Sequence, residues 1–486
     1  MRKTQPLLIM MITLLFFILP VYSQKIPATP NIIFILADDF GYSSLNSYGA
    51  EKTLIRTPHI DRIAANGMRF THANTPASIC TPTRYGFLTG RYPWRSELKF
   101  GVTNPIDELL IEPERTTIAD WLKAKGYNTA AVGKWHLGYG KEPLDYTKSV
   151  SPGPPELGFD YHFGVPQNHD DMLGVYIEND HIYGLRSDKV HPYSRSFYGS
   201  QYIGYDAPQR VNVDVMDVLT DKSIDWIKQQ DSNQPFFLYF GAVAVHHPIT
   251  PSEYMRGISN AGPYGDFIQD LDKCVGRIIE TLEYMNLADN TLIIFTSDNG
   301  GEIPGNRPEA PEITAINMGL KINGDLRGDK HTIYQGGTNV PFIVSWPGVV
   351  QADSESSDLV NLVDVFATVA EITGNGLPGS KEVAPDSYSF LGSLTGNQPG
   401  TSRSAMITAD ASGMHALQMD GWKYIDNTVP EGMPENRAAR LRDAGPELYH
   451  LAKDPAESNN LIDKYPEKAA AMKNELNRMR NAGHTR

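Results

Sequence analysis

Two stretches of the chain, Asn31-Ile32-Ile33-Phe34-Ile35-Leu36-Ala37 and Leu292-Ile293-Ile294-Phe295-Thr296-Ser297, are short and largely apolar, and each stops at acidic or amide residues: Asp38-Asp39 and Asp298-Asn299. A run of this length and composition reads as a strand buried on both faces, which requires helices on both sides of a largely parallel sheet. Runs at 129–132, 236–245 and 342–346 repeat the pattern, with helix-like segments such as 117–125 and 214–228 between them. The alternation predicts an α/β protein with a large central, mostly parallel sheet flanked by helices. Ligands in such folds gather beyond the carboxyl ends of the strands, where both acidic pairs stand.

From about residue 385 the runs become shorter and more polar, as at 414–419 and 422–425, and 466–481 reads as a closing helix. With 486 residues the chain exceeds the usual single core. It divides into a leader at 1–23, a main domain at 24–384 and a smaller C-terminal α+β subdomain at 385–486. The segment 146–205, rich in Gly, Pro, His, Tyr and Asp without periodicity, is expected to form long loops over the site.

The leader is a signal peptide: Arg2 and Lys3 precede an apolar run from Leu7 to Leu19, and Val21-Tyr22-Ser23 forms an exit cleaved near Ser23/Gln24. The run is shorter than the ~20 residues of a spanning helix, so export to the periplasm or beyond is expected, without stable membrane insertion. Export favours disulfides, yet the only cysteines, Cys80 and Cys274, lie far apart, and Cys274 sits at helical spacing among core residues. The formal charge of −14 becomes −16 once Arg2 and Lys3 leave with the leader, which argues against a nucleic-acid partner. Any anionic ligand then needs a local cluster of cations.

Three carboxylates and an amide oxygen at two strand ends, Asp38, Asp39, Asp298 and Asn299, form an oxygen-only set suited to Ca²⁺ rather than zinc. Cations stand at other strand ends, Lys134 and His136, on one side if the backbone stays extended, then His246-His247-Pro248, while Lys330-His331 precede a fifth strand. Cys80-Thr81-Pro82-Thr83-Arg84, followed by Leu88-Thr89-Gly90-Arg91, places a thiol in a polar stretch, an unusual home for it.

This pentapeptide, the acidic pairs and the cationic segments together resemble the formylglycine-dependent type I sulfatases, arylsulfatase-like members of the alkaline phosphatase superfamily. The resemblance runs from about Asn31 to Gly348 and returns at Glu447-Leu448-Tyr449-His450-Leu451 with Asp454-Pro455. It implies that Cys80 becomes formylglycine (3-oxoalanine) through a formylglycine-generating enzyme or an anaerobic sulfatase-maturating enzyme, and that its hydrated aldehyde supplies the attacking oxygen. Arg84 and Lys134 would stabilise that oxygen, and His136 would bind the second hydroxyl. His246 and Lys330 would hold the sulfate, one of them protonating the leaving oxygen. Asp38, Asp39, Asp298 and Asn299 would hold one Ca²⁺, with Asp298 a candidate base. His246 is chosen over His247 because the family places one residue between the catalytic histidine and the proline.

The implied activity is hydrolysis of a sulfate ester on a carbohydrate, with marine bacterial polysaccharide sulfatases as the nearest resemblance and ulvan favoured over fucoidan or carrageenan. His169, Asp170, Tyr205, Arg327 and His331 are candidate sugar contacts. Two alternatives stay open on the sequence: a phosphomonoester or phosphonate hydrolase of the same superfamily, and a non-catalytic glycan-binding homologue.

Overall fold

The computed structural model describes residues 29–486 except 375, 380, 397–399, 402, 430, 431, 434, 436, 437 and 439–444. The leader expected at 1–23 lies outside the described residues. Among those described, no helix is long and apolar enough to cross a membrane.

A ten-stranded sheet forms the centre. From one edge its order is Ser354–Ser356, Met68–Phe70, Phe342–Ser345, Thr291–Ser297, Asn31–Ala37, Phe236–Gly241, Asn128–Lys134, Tyr161–Val165, Ile177–Glu178 and His181–Ile182. The five strands from Thr291–Ser297 to Tyr161–Val165 are mutually parallel, and antiparallel pairs flank them.

The alternation along Asn31–Ala37 explains why both faces need helices. Ile32, Phe34 and Leu36 point into a core that includes Tyr85, Phe87 and Leu88 of the helix Cys80–Thr89, Leu122 of Ile118–Lys123 and Phe366 of Asp364–Ile372. Ile33 and Ile35 point the other way, toward Ile60 of Pro58–Ala65, Leu219 of Val215–Lys228 and Leu271 of Gly262–Tyr284. Phe34 stacks on Phe87 with ring centroids 3.8 Å apart, fixing the helix that begins at Cys80 against the central strand. Truncating such a buried ring costs about 3–5 kcal/mol. Cys274 lies in the second core, fully buried, and both cysteines are free.

The C-terminal residues form a four-stranded antiparallel sheet, Ala405–Ala409, His415–Met419, Trp422–Asp426 and Glu447–His450, in chain order. The helix Pro466–Asn481 covers it through Met472, Leu476 and Met479. Buried Arg403 joins this region to the flanking elements of the main domain, with Nε 2.7 Å from Asp364 Oδ2 on the helix Asp364–Ile372 and Nη1 3.0 Å from Tyr92 Oη.

Two sequence expectations need correction. The strand expected over 236–245 stops at Gly241, because the chain then wraps the end of its neighbour: the Asp38 amide donates to Ala244 O (2.9 Å) and the Val245 amide to Asp38 O (2.7 Å). Within 146–205, expected to be loops, Tyr161–Val165 is a full member of the parallel core; the remainder carries two-residue and three-residue strands.

Candidate active site

Strand register brings the acidic pairs together. Leu36 lies opposite Thr296 and Ala37 opposite Ser297, so Asp38 and Asp298 leave the sheet side by side. Asp39 turns the chain through a left-handed conformation (φ 56°), one that aspartate tolerates better than most residues. Its amide donates to Asp298 Oδ1 (3.2 Å), and the Phe40 amide donates to Ser297 Oγ (2.9 Å). On the other flank Gly133 faces Gly241 with φ 118°, and a Cβ there would lie 1.9 Å from Gly241 O. Only glycine fits, and the next residue, Lys134, is delivered beneath Asp38.

The paired glycines have a similar purpose. A Cβ on Gly300 would stand 1.8 Å from Gly336 O, and the Gly300 amide donates to Gly337 O (2.9 Å). This close approach joins the Asp298-Asn299 turn to the segment carrying Lys330. Cys80 opens its helix, with Thr81 Oγ1 donating to His136 O (2.9 Å) and Thr83 Oγ1 to Ala77 O (3.0 Å).

Around Cys80 the side chains form a buried, charge-balanced group. Lys134 Nζ is 2.7 Å from Asp38 Oδ2 and 3.6 Å from Cys80 Sγ, which is 3.7 Å from Asp38 Oδ1. Arg84 donates from Nε (3.1 Å) and Nη2 (2.7 Å) to Asp298 Oδ2, and from Nη1 to Lys134 O (2.8 Å) and Tyr239 Oη (3.1 Å). Lys330 Nζ donates to Asp39 Oδ2 (2.7 Å) and approaches Glu302 Oε2 (3.3 Å). His246 Nε2 is 3.7 Å from Asp39 Oδ2, and its Nδ1 donates to His247 O (2.6 Å).

Burial governs the titration of these groups. It raises Asp38 to about 7 even with Lys134 beside it. Burial would raise Asp298 as well, but Arg84 and Lys134 hold it below the ordinary carboxylate value. Burial and the Asp298 charge push the Cys80 thiol well up, outweighing Lys134 and Lys330. An unmodified Cys80 is therefore held as a thiol, which is a poor nucleophile. Burial, then Lys330 and Lys134, keep His246 neutral. Burial would lower Lys330, but Asp39 holds its proton firmly.

His136 sits at the site by a different route from the extended backbone expected: its φ is 57°, and Nε2 contacts Thr103 O (3.2 Å) while Nδ1 is buried without a partner among the described residues. Arg91 lies outside the group, donating to Tyr85 Oη (2.6 Å).

Four of the five candidate sugar contacts also brace the fold. His169 is buried, with Nε2 against Pro248 O (3.0 Å) and Thr250 Oγ1 (2.9 Å). Asp170 accepts from the Phe197 amide, Tyr202 Oη and Asn212 Nδ2, pinning the 197–202 segment. Tyr205 packs on the core near Tyr146, with centroids 6.4 Å apart. Arg327 ties the main domain to the C-terminal sheet through Tyr449 Oη (2.8 Å), Glu457 O (2.9 Å) and Tyr334 Oη (2.9 Å). His331, exposed and left-handed (φ 75°), does stand beside Lys330 at the rim.

Sequence reasoning missed a second layer. His247 is clamped by Glu312 Oε1 (2.9 Å at Nδ1) and Glu302 Oε2 (3.3 Å at Nε2), and Arg307 Nη2 lies 3.0 Å from the same Nε2. Burial would lower His247, but the two carboxylates raise it to about 9. Glu302 directly follows Gly301, so its place after the second acidic motif was a usable signal. Tyr198, whose hydroxyl lies 3.4 Å from His246 Nδ1 and donates to His247 O (3.1 Å), carries no such signal.

Ligand atoms of Asp38, Asp39, Cys80 and His246 all lie within 4.8 Å of one another. Asn299 donates through Nδ2 to Asp39 Oδ1 (2.8 Å), but its Oδ1 is buried with no hydrogen-bond partner among the described residues. An orphaned carbonyl oxygen beside three carboxylates fits a hard divalent cation. Adding one to three carboxylates already matched by Arg84, Lys134 and Lys330 would leave the site strongly positive, as an anionic ester requires.

Fold and site thus define an α/β hydrolase that receives an anionic ester at the carboxyl ends of its central strands. The chain belongs to the sulfatase family, whose model matches residues 30–375. It is 36% identical over 480 residues to an N-acetylgalactosamine-6-O-sulfatase of Bacteroides thetaiotaomicron, covering 92% of this chain and 91% of that one. It is 30% identical to human arylsulfatase A over 89% of this chain and 83% of that protein. A solved Bacteroides thetaiotaomicron structure, described in connection with metabolism of multiple glycosaminoglycans, matches with a TM-score of 0.84 at 34% identity, covering 94% of this chain and 100% of that one. The protein is accordingly a sulfuric ester hydrolase.

Proposed function

We propose that this sulfatase is exported, carries formylglycine at position 80 and one Ca²⁺ on Asp38, Asp39, Asp298 and Asn299, and removes sulfate from a carbohydrate, with a 6-O-sulfated N-acetylhexosamine as the favoured target. The observation that carries the reading is the convergence of Arg84, Lys134 and Lys330 with three carboxylates around the buried Cys80 side chain. The sugar rests on likeness to the N-acetylgalactosamine-6-O-sulfatase, which favours such a residue over the ulvan, fucoidan or carrageenan expected from sequence.

Formylglycine supplies a hydrated-aldehyde oxygen as nucleophile, and Ca²⁺ supplies charge against the ester oxygens. The chain's own residues do the rest. Lys134, 3.6 Å from the side-chain head of position 80, and Arg84 are fixed cations that favour negative charge there at no cost of reorganisation. His246 presents Nε2 as an acceptor because its Nδ1–H is committed to His247 O. Lys330 carries a proton at rest, held beside Asp39, and would donate to a departing sugar oxygen, which as an alkoxide is a poor leaving group.

The test is a desulfation screen on defined sulfated oligosaccharides, using protein whose Cys80 peptide has been checked by mass spectrometry. Release of sulfate from a 6-O-sulfated hexosamine by formylglycine-bearing protein is the expected result. Full activity with an unmodified thiol, or a strong preference for phosphate esters, would overturn it.

A further inference from the structure

A cavity of about 400 Å³ opens beside the site, lined by polar groups that include Asn104, Asp107, Gln167, Asn168, Tyr198 and Ser200. Two of these walls reach the reacting centre. Tyr198 Oη lies 3.4 Å from His246 Nδ1, and Gln167 Nε2 donates (3.0 Å) to Thr103 O, the carbonyl that His136 Nε2 also contacts (3.2 Å). Two lining residues thus adjoin the surroundings of both histidines that the mechanism uses.

Its chemistry differs from that of the sulfate pocket. No lysine, arginine or histidine lines it among the described residues, whereas Asp107, Asp170 and Asp171 do. Asp171 is matched by Arg210 (2.7 Å) behind the wall, and Asp107 is held by Asn104 (2.6 Å at its amide). A second sulfate or a uronate carboxylate placed here would meet acids with no facing cation, and like charges brought together are unfavourable. Side-chain amides and hydroxyls suit the hydroxyl and amide groups of an uncharged sugar. Exposed Ile106 (46%), beside Pro105, offers an apolar strip for a sugar's C–H face.

We infer that this cavity is a subsite for the saccharide unit adjacent to the sulfated sugar, and that it selects an uncharged neighbour over a uronic acid. The inference rests on the carbohydrate reading above and makes it more specific: the substrate is at least a disaccharide, in which a neutral residue adjoins the sulfate-bearing one.

The experiment compares kcat/KM on three substrates with formylglycine-bearing enzyme: a 6-O-sulfated N-acetylhexosamine alone, the same sugar linked to galactose, and the same sugar linked to a uronic acid. The galactose-linked substrate should exceed the monosaccharide by about tenfold, the worth of one or two net hydrogen bonds, and the uronate-linked one should show no gain. Ser200→Trp introduces bulk at an exposed position in the cavity lining that makes no hydrogen bond, among the described residues, to the catalytic ones; it should remove the gain while monosaccharide turnover stays within about twofold. Equal rates on all three substrates, a larger gain with the uronate, or an equal loss on every substrate in Ser200→Trp would overturn the subsite. Turnover of an aryl sulfate with none of any sugar ester would instead bring down the carbohydrate reading, and the subsite with it.

Discussion

Lys330 Nζ lies 2.7 Å from Asp39 Oδ2, a contact between residues 291 positions apart, and His246 Nε2 stands 3.7 Å from the same oxygen. The lysine therefore balances a buried carboxylate besides its proposed role toward substrate, and removing it leaves Asp39 uncompensated. Lys330→Met should lower kcat at least hundredfold, because a fixed cation and proton donor are lost together. It should also destabilise the fold by about 3–5 kcal/mol in chelator. Saturating Ca²⁺ should recover much of that loss by supplying the missing charge. Denaturant titrations with and without Ca²⁺ check this: a destabilisation independent of the metal would separate Asp39 from any cation site.

Cys80→Ala tests position 80 directly. The side chain makes only long contacts, 3.6 Å to Lys134 and 3.7 Å to Asp38, so truncating it leaves the stronger ion pairs in place. Turnover should vanish, while Ca²⁺ still raises stability by about 2.7 kcal/mol at a hundredfold excess over its Kd. Loss of the calcium effect as well would show that position 80 organises the cation site and does more than supply the nucleophile.

The parts of the site legible in the sequence are those where chemistry and secondary structure coincide. Asp38-Asp39 and Asp298-Asn299 could be placed because each follows an apolar run, and parallel strands in register bring their ends together. The helix Pro466–Asn481 was readable from its opening proline and long periodic body. Tyr161–Val165 was not, since Gly and Pro surround a five-residue strand whose identity as a core member depends on pairing with Asn128–Lys134. What His169, Asp170, Tyr205 and Arg327 brace within the fold was hidden in the sequence for a related reason. Polar and aromatic types suit binding and internal bracing equally, and only the folded loop shows that Asp170 pins 197–202 or that Arg327 reaches Tyr449.

The clamp on His247 predicts a pH dependence. Its folded value of about 9 lies above the ordinary 6.5, so it contributes stability that is complete below about pH 6.5 and is lost as pH rises through 9. The difference amounts to about 3 kcal/mol. Glu302 and Glu312 attract the proton, whereas Arg307, 3.0 Å from Nε2, opposes it. His247→Gln should therefore be less stable than wild type at pH 6.5 by roughly this amount and nearly equal to it at pH 10. Chemical denaturation at the two pH values provides the check, and an unchanged gap between variant and wild type would rule out the charged imidazole.

Arg84 offers the sharpest contrast between a charge and its shape. Its guanidinium is fully buried and spans three partners: Asp298 through two donors, the Lys134 carbonyl at 2.8 Å and the Tyr239 hydroxyl at 3.1 Å. Lysine keeps the positive charge but presents a single head that cannot reach all of them. Arg84→Lys should cost about 2–3 kcal/mol of stability, the worth of a lost bond to an ionised group plus an unsatisfied buried carbonyl. Because Asp298 is then free to shift relative to Asp38 and Asn299, kcat should fall at least tenfold and the Ca²⁺ concentration needed for half-maximal stabilisation should rise. Tyr239→Phe is the control: it removes one neutral partner of the same guanidinium and should cost about 1 kcal/mol with turnover changed only a few-fold. If the two variants prove equivalent in turnover and in calcium dependence, the arginine is acting as a point charge, and the two-donor grip on Asp298 is not what aligns the site.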